Sequence, residues 1–334
     1  TDIVLSSTIE SDNTLTGWEA SVHPLPQKLC CGAAASVGDY IYYTGGHDGA
    51  GYFDTVYFTK IITDIPDSTI SLQVPLLKQT TAPWEDDIYD SANMWNSANP
   101  TINRWGCALT SATMVLNYYG LQKISDSTDL TPETLNTWLK TQPDGYVRNG
   151  LLNWLAISRL TKNIKTFNSA FAYDALEYRR IFGMDNDQLN TDLTASQPDI
   201  LEVPGHFIVA KGKTDSTYLI NDPFYARETL EDNYGNSYLS LGRYIPSHTD
   251  LSYIQVVINP EVDVELRDQH GTTLIEDVIQ SPIQDPVSGQ TNGNPLRIVY
   301  KPQPTTGIYE IVLTSPTNTP YTLDVYVYDE QGRV

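Results

Sequence analysis

Two spacings of apolar residues divide this chain. Through its middle they recur every three to four positions, the period of a helix buried along one face; on either side they alternate or form short β-branched and aromatic blocks, the pattern of strands. The run from Cys107 through Ala108, Leu109, Ala112, Met114, Val115 and Leu116 predicts a buried helix that stops at Gly120. Thr131-Pro132-Glu133 then supplies an N-cap hydroxyl, a proline at the first helical position and an acid in the first turn, and Leu135, Trp138 and Leu139 follow on one face. Leu151, Leu152, Leu155 and Leu160, with Trp154 beside them, predict a third helix. Between Thr80 and Arg104 the chain is rich in Trp, Asp, Asn and Ser without a period, which reads as a long surface excursion.

Strand patterns flank this region. Tyr40 to Thr44 and Thr55 to Ile61 are β-branched and aromatic runs separated by Gly45-Gly46. Asp199 to Val203, the turn Pro204-Gly205, His206 to Gly212 and Thr217 to Pro223 read as three successive strands. From about Pro260 the alternation is purely β: Val262, Val264 and Leu266 share a face, as do Tyr309, Ile311 and Leu313, and as do Tyr321, Leu323, Val325 and Val327. Helices followed by a hairpin-rich sheet make an α+β arrangement. The expected organisation is a β-rich segment over residues 1–65, an α+β domain over 66–250 and a small antiparallel β-sandwich over 251–334.

The N-terminal segment has a likeness of its own. GDYIYYTGGHDG followed by TVYFTKI, with Trp18 and Leu25-Pro26 upstream, resembles a single kelch-type blade over residues 17–61. One blade cannot close a propeller, because each repeat buries its faces against its neighbours. Either further blades lie elsewhere or the segment packs as an extra sheet.

Composition narrows the partners. Twenty Lys and Arg against 41 Asp and Glu leave a net charge of −21, a surface that repels nucleic acid and anionic membranes. No apolar run approaches the ~20 residues that span a bilayer. Low lysine, many Thr, Ser and Asn, and 22 tyrosines against 7 phenylalanines suit an extracellular or cell-surface protein. A chain that opens at Thr1 without a hydrophobic leader is expected to have lost an upstream segment. Three cysteines cannot build a disulfide framework. Cys30 and Cys31 are adjacent, which rarely permits a bridge, so both are expected to be small buried apolar residues.

Cys107 remains unpaired at a helix start, where the helix dipole favours the thiolate, the nucleophilic form of cysteine. A buried packing role is the alternative for a lone cysteine. Of the five histidines only His206 opens a strand of the domain that holds Cys107. Asp222 ends the following strand, where it can meet His206 across the sheet, although Asn221-Asp222-Pro223 is also good turn chemistry. Together the three supply what cysteine-based acyl transfer needs: a thiolate, a base and a group that orients the base.

At these residues a second resemblance appears. VPLLKQ, GCALTSATMVLNYYG, TPETLNTWL, QPDILEVPGHFIVAKG and YLINDP, over residues 74 to about 245, are similar to the double-glycine-leader (bacteriocin-processing) branch of papain-like cysteine peptidases. The resemblance implies a papain-like central domain, with helices packed on an antiparallel sheet. It implies Cys107 as nucleophile, His206 as general base and acid, Asp222 as orienting group and Gln79 as the oxyanion-hole side chain beside the Cys107 amide. For Gln79 a surface-loop or strand-end role is the alternative. Trp105 is expected to pack beneath the excursion, with a wall of the substrate groove as the alternative. No spacing suggests a zinc site, and no cofactor is expected.

The resulting expectation is a secreted or cell-surface cysteine peptidase that cleaves peptide or protein substrates through a thioester. The reading from another class is a structural or adhesive surface protein that retains the papain-like scaffold. Such a protein would associate with copies of itself or with other parts of a processed precursor.

Overall fold

A computed structural model describes residues 5–6, 19–20, 30–37, 40–60, 69–95, 98–248, 250–271, 276–318 and 320–333. The chain forms two compact units, Thr1–Asp67 and Ser68–Val334. In the first unit the strands Ala33–Val37, Tyr40–Thr44 and Val56–Lys60 form an antiparallel meander, with Tyr42 opposite Ala35 and Phe58. A propeller blade has four strands. Trp18 and Leu25-Pro26, which the blade reading used, lie outside the described residues. Cys30 and Cys31 are free and exposed rather than buried. Cys30 sits on an isolated bridge to His47 and Cys31 has a φ of 62°, so both belong to a turn and not to an inward strand position.

In the second unit the elements that carry the site are β1 (Ile70–Ser71), α1 (Cys107–Tyr118), α2 (Pro132–Thr141), α3 (Trp154–Ile164), β2 (Ala175–Phe182), α4 (Asn186–Thr194), β3 (Asp199–Val203), β4 (His206–Lys213), β5 (Tyr218–Asn221) and β6 (Ser240–Ser247). The strands make one antiparallel sheet in the order β2-β6-β3-β4-β5, and β1 joins β4 at Gly212 and Lys213, beyond the start of β3. The predicted helices are present as α1, α2 and α3. Thr131 caps α2 by accepting from the Thr134 amide, and Thr134 returns the bond to the Thr131 amide at 2.9 Å. The third helix starts later than its leucines suggest. Leu151–Leu152 pair as a short strand with Tyr146–Val147, and the Asn153 side chain then caps α3 by accepting from Leu155. The helix α4, capped by Asp185, has no strong apolar period in the sequence.

The excursion before Arg104 is more ordered than its composition suggests. Backbone bonds from Tyr89 to Pro100 (2.9 Å), Ile102 to Asp87 (2.8 Å) and Asn103 to Glu85 (2.9 Å) fold it back on itself. Its few large side chains do the anchoring: Tyr89, Ile102 and Trp105 are fully buried in the main core. Trp105 packs as expected, edge-on to Trp95 and donating to the Asn99 carbonyl at 2.9 Å.

After Ser247 come the strands β7 (Tyr253–Ile258), β8 (Asp263–Arg267), β9 (Glu276–Gln280), β10 (Leu296–Pro302), β11 (Glu310–Thr314) and β12 (Asp324–Tyr328). They form a four-stranded sheet, β9-β10-β7-β12, and a β8-β11 pair, which share an apolar cluster of Ile254, Val256, Ile258, Val264, Leu266 and Val299. On β12 the alternation runs as expected, but Val325 and Val327 face solvent while Tyr328 is buried. The opposite face of the four-stranded sheet joins the main core through Tyr253, Val257, Ile298, Tyr300 and Tyr328. A buried polar knot ties the two parts together: Arg180 on β2 pairs with Glu202 on β3, donates to Ser240 on β6 and bonds Gln280 on β9. Among the described residues no helix is long and apolar enough to cross a membrane.

Removing one member of a buried ion pair strands its partner's charge. Arg180→Ala is therefore expected to cost about 3–5 kcal/mol of folding stability, read from urea denaturation; a loss below ~1 kcal/mol, the scale of a surface pair, would show that the knot does not hold the fold.

Candidate active site

Gly106 sits between the short helix Ile102–Trp105 and α1, ending one and starting the other. The two pack so closely there that a Cβ at position 106 would lie 2.6 Å from the Ile102 carbonyl oxygen. Glycine is thus the residue that lets Cys107 open the helix. The first amides of any α-helix lack intrahelical partners, so Cys107 stands in a field that stabilises negative charge.

α1 lies on β4. One turn after Cys107, Ser111 Oγ donates to the Phe207 carbonyl at 3.2 Å inside the core, and Phe207 follows His206. This tie holds the helix start level with the strand start. Cys107 and His206 are 2% and 7% exposed.

His206 enters β4 directly from the two-residue turn Pro204-Gly205, whose Gly205 takes a φ of +69° that favours glycine. In the β4–β5 ladder Val209 faces Asn221, so the next step places Asp222 opposite Ile208, on the same face as His206. The two side chains meet at 2.9 Å, His206 Nε2 to Asp222 Oδ1. Cys107 also acts on the imidazole and favours its charged form. Burial pulls the imidazole pKa down, but the bonds to Asp222 and Cys107 outweigh it and raise the pKa to about 9.

Asp222 is fully buried and well supplied with donors. Oδ1 also accepts from the Phe224 and Tyr225 amides, each at 2.9 Å, and Oδ2 accepts from the Tyr234 hydroxyl at 2.6 Å. Burial works against the charged carboxylate, yet the His206, Tyr234 and amide hydrogen bonds keep its pKa below the usual value. The Arg227 guanidinium lies over the rings of Tyr225 (3.8 Å) and Tyr234 (4.7 Å), and the Tyr225 ring stands edge-on to the imidazole at 5.7 Å. Lys78 Nζ donates to the Asp222 and Tyr225 carbonyls at 2.6 Å each, bracing the turn from below.

Gln79 is brought to the same place by the folded excursion. Its amide donates to the Pro223 carbonyl at 2.9 Å, and its side-chain Nε2 donates to the carbonyls of Asn103 (2.7 Å) and Ile102 (3.4 Å), just ahead of the Cys107 helix. Its Oε1 is buried without a partner among the described residues. The sequence-predicted residues Cys107, His206, Asp222 and Gln79 thus lie in one neighbourhood. Tyr234, Arg227 and Lys78 were not foreseen. Lys78 and Arg227 sit in loops without periodicity, and Tyr234, at the end of the four-residue helix Glu231–Tyr234, is one of 22 tyrosines with nothing local to mark it. Among the described residues no group of three or more His, Cys, Asp or Glu side chains has metal-holding geometry.

The model of the Peptidase_C39 like family matches residues 71–246, slightly more than half of the chain's 334 residues. The match takes in every residue of the Cys107–His206–Asp222 cluster and leaves the kelch-like reading of the N-terminal segment unsupported. No curated protein and no solved structure matches the chain.

The shifted pKa values set a pH window for stability. His206, raised from 6.5 to about 9, contributes stability that is complete below 6.5 and lost as pH rises through 9. Asp222, lowered from 3.8, contributes stability present above that value and lost as pH falls through its depressed pKa. Thermal unfolding followed from pH 6.5 to 9 is expected to show a falling midpoint in the native protein and a flatter profile in His206→Gln; equal slopes would mean that the imidazole does not gain its proton from these contacts.

Proposed function

The chain belongs to the Peptidase_C39 like family, a family of cysteine peptidases, and on that premise we propose that it hydrolyses peptide bonds through Cys107, His206 and Asp222. The observation that carries the reading is the buried 2.9 Å bond between His206 and Asp222, and the influence of Cys107 on the same imidazole agrees with it. His206 Nε2 is committed to Asp222, so Nδ1 is the nitrogen that exchanges a proton with Cys107.

In the forward step the Cys107 sulfur attacks the scissile carbonyl, and the proton it gives up resides on His206. Collapse of the tetrahedral intermediate breaks the carbon–nitrogen bond, His206 donates the proton to the departing amine, and the acyl group remains as a thioester on Cys107. Water then attacks the thioester, His206 takes its proton, and the thiol and a carboxylic acid are regenerated. Asp222 holds the ring through Nε2 and stabilises its charged form. Tyr234, Arg227 and Lys78 touch no reacting atom; they are positioning residues that keep Asp222 ionised and aimed.

The developing oxyanion needs donors near the sulfur. The Cys107 backbone amide, at a helix start, is one, and Gln79 Nε2 is the other in this proposal. Its Nε2 lies 2.7 Å from the Asn103 carbonyl and only 3.4 Å from the Ile102 carbonyl. The longer of these two bonds is the one that would give way to an oxyanion. The substrate is a peptide or protein, and the polar, lysine-poor composition supports an extracellular or cell-surface setting.

Because Cys30 and Cys31 are exposed, thiol labelling needs both replaced by serine. In that background iodoacetamide is expected to label Cys107 in the folded protein and to do so about 100-fold more slowly or worse in His206→Ala. A Cys107 that resists labelling, or that reacts equally without His206, would sink the peptidase reading. Gln79→Ala is expected to lower kcat by about 100- to 1000-fold with little change in KM; an unchanged kcat would remove Gln79 from the oxyanion site.

A further inference from the structure

The β9–β10 connection reaches back to the site as a hairpin over residues 283–292, and the reaction above makes no use of it. Its base is pinned. Ile283 is 1% exposed in the main core, and the Asn292 side chain accepts from the Ile283 amide (2.8 Å) and donates to the Asn149 carbonyl (2.7 Å). Its tip is built around Asp285, which accepts from the Val287 amide (2.9 Å) and Ser288 Oγ (2.6 Å), while the Asp285 amide donates to the Gln290 carbonyl (2.7 Å).

From this base the hairpin touches both sides of the Cys107–His206 pair. The Gln284 amide donates to the Gly205 carbonyl at 2.9 Å, one residue before His206. The Asp285 carboxylate receives a bidentate pair from Arg104, Nε to Oδ1 at 2.7 Å and Nη2 to Oδ2 at 2.5 Å, three residues before Cys107. The two side chains of that pair are 14% and 2% exposed. In the peptidase reading a substrate chain passes between Cys107 and His206, and this hairpin links the backbone before His206 to the side chain of Arg104 before Cys107. An extended peptide advances only ~3.3 Å per residue, so a backbone bonded to Gly205 stands within a few residues of the reacting carbonyl.

Resting on the peptidase reading, we infer that the 283–292 hairpin is a wall across the substrate groove, and that Gln284 and Asp285 confine cleavage to bonds close to a chain end. The substrates are accordingly short peptides or free chain ends, not internal stretches of long chains. The internal bonds of the hairpin and its buried anchor make it a fixed wall, since opening it requires breaking several of them together.

The test uses the full chain with Cys30→Ser and Cys31→Ser, alone and with Gln284→Pro, which deletes the amide donor, or Asp285→Ala, which deletes the carboxylate. Long linear synthetic peptides of varied sequence are incubated with each protein and the products sequenced by mass spectrometry. The parent protein is expected to cut within about three residues of one end, and the variants to cut internally as well. In parallel, Cys107 is labelled with iodoacetamide and with a polyethylene-glycol maleimide, and the ratio of the second rate to the first is expected to rise about tenfold in the variants. Internal cutting by the parent protein overturns the wall, as does a labelling ratio equal in parent and variants. The ratio needs no turnover: an absence of both cleavage and His206-dependent labelling defeats the peptidase reading, while the ratio still reports on the wall. Should both variants fail to fold, the cut positions of the parent protein decide alone.

Discussion

The hydrogen bond from Ser111 to the Phe207 carbonyl holds α1 against β4 with its own start level with the start of the strand. Cys107 lies one helical turn before the serine and His206 one residue before the carbonyl, so a slip of either element would carry the sulfur and the imidazole apart. A strand slip of one residue would also turn His206 to the opposite face. The glycines at 106 and 205 serve the same constraint: one lets two helices meet at the Cys107 amide, and the other lets β3 return as β4 in a two-residue turn.

Around that frame the electrostatics oppose burial with paired contacts. A carboxylate as deeply buried as Asp222 costs free energy unless donors surround it. Here four donors reach it, from His206, Phe224, Tyr225 and Tyr234. The consequence runs outward to the imidazole, which holds its proton to about pH 9 because its two neighbours favour the charged form more than burial disfavours it. The segment 222–234 therefore matters to the site as a unit, and Lys78 and Arg227 brace it.

The C-terminal strands are not an appendage to this arrangement. Their inner face shares the main core with Trp154 and Tyr178, their strand β9 joins the Arg180 knot, and the hairpin that follows contacts Arg104 and Gly205, close in sequence to Cys107 and His206. The region whose role was least legible in the sequence thus stands closest to the question of what the site accepts. Its contacts to Arg104 and Gly205 join residues far apart in the chain, the first of them 181 positions apart, and long-range pairs of that kind carry no local period that a sequence pattern can reveal.

Local chemistry is what the amino-acid sequence determined by itself. The apolar spacing from Cys107, the cap at Thr131, the Pro204-Gly205 turn and the chain order of Cys107, His206 and Asp222 follow from interactions between near neighbours, which periodicity and turn residues report directly. Tertiary structure decided the rest. It folded the excursion so that Gln79 returns to the helix start, selected Tyr234 from among many tyrosines, moved the start of α3 behind the Asn153 cap and left Cys30 and Cys31 exposed. Each of these depends on which surfaces meet once the core has packed, and burial is a property of that meeting, not of any residue's immediate neighbours.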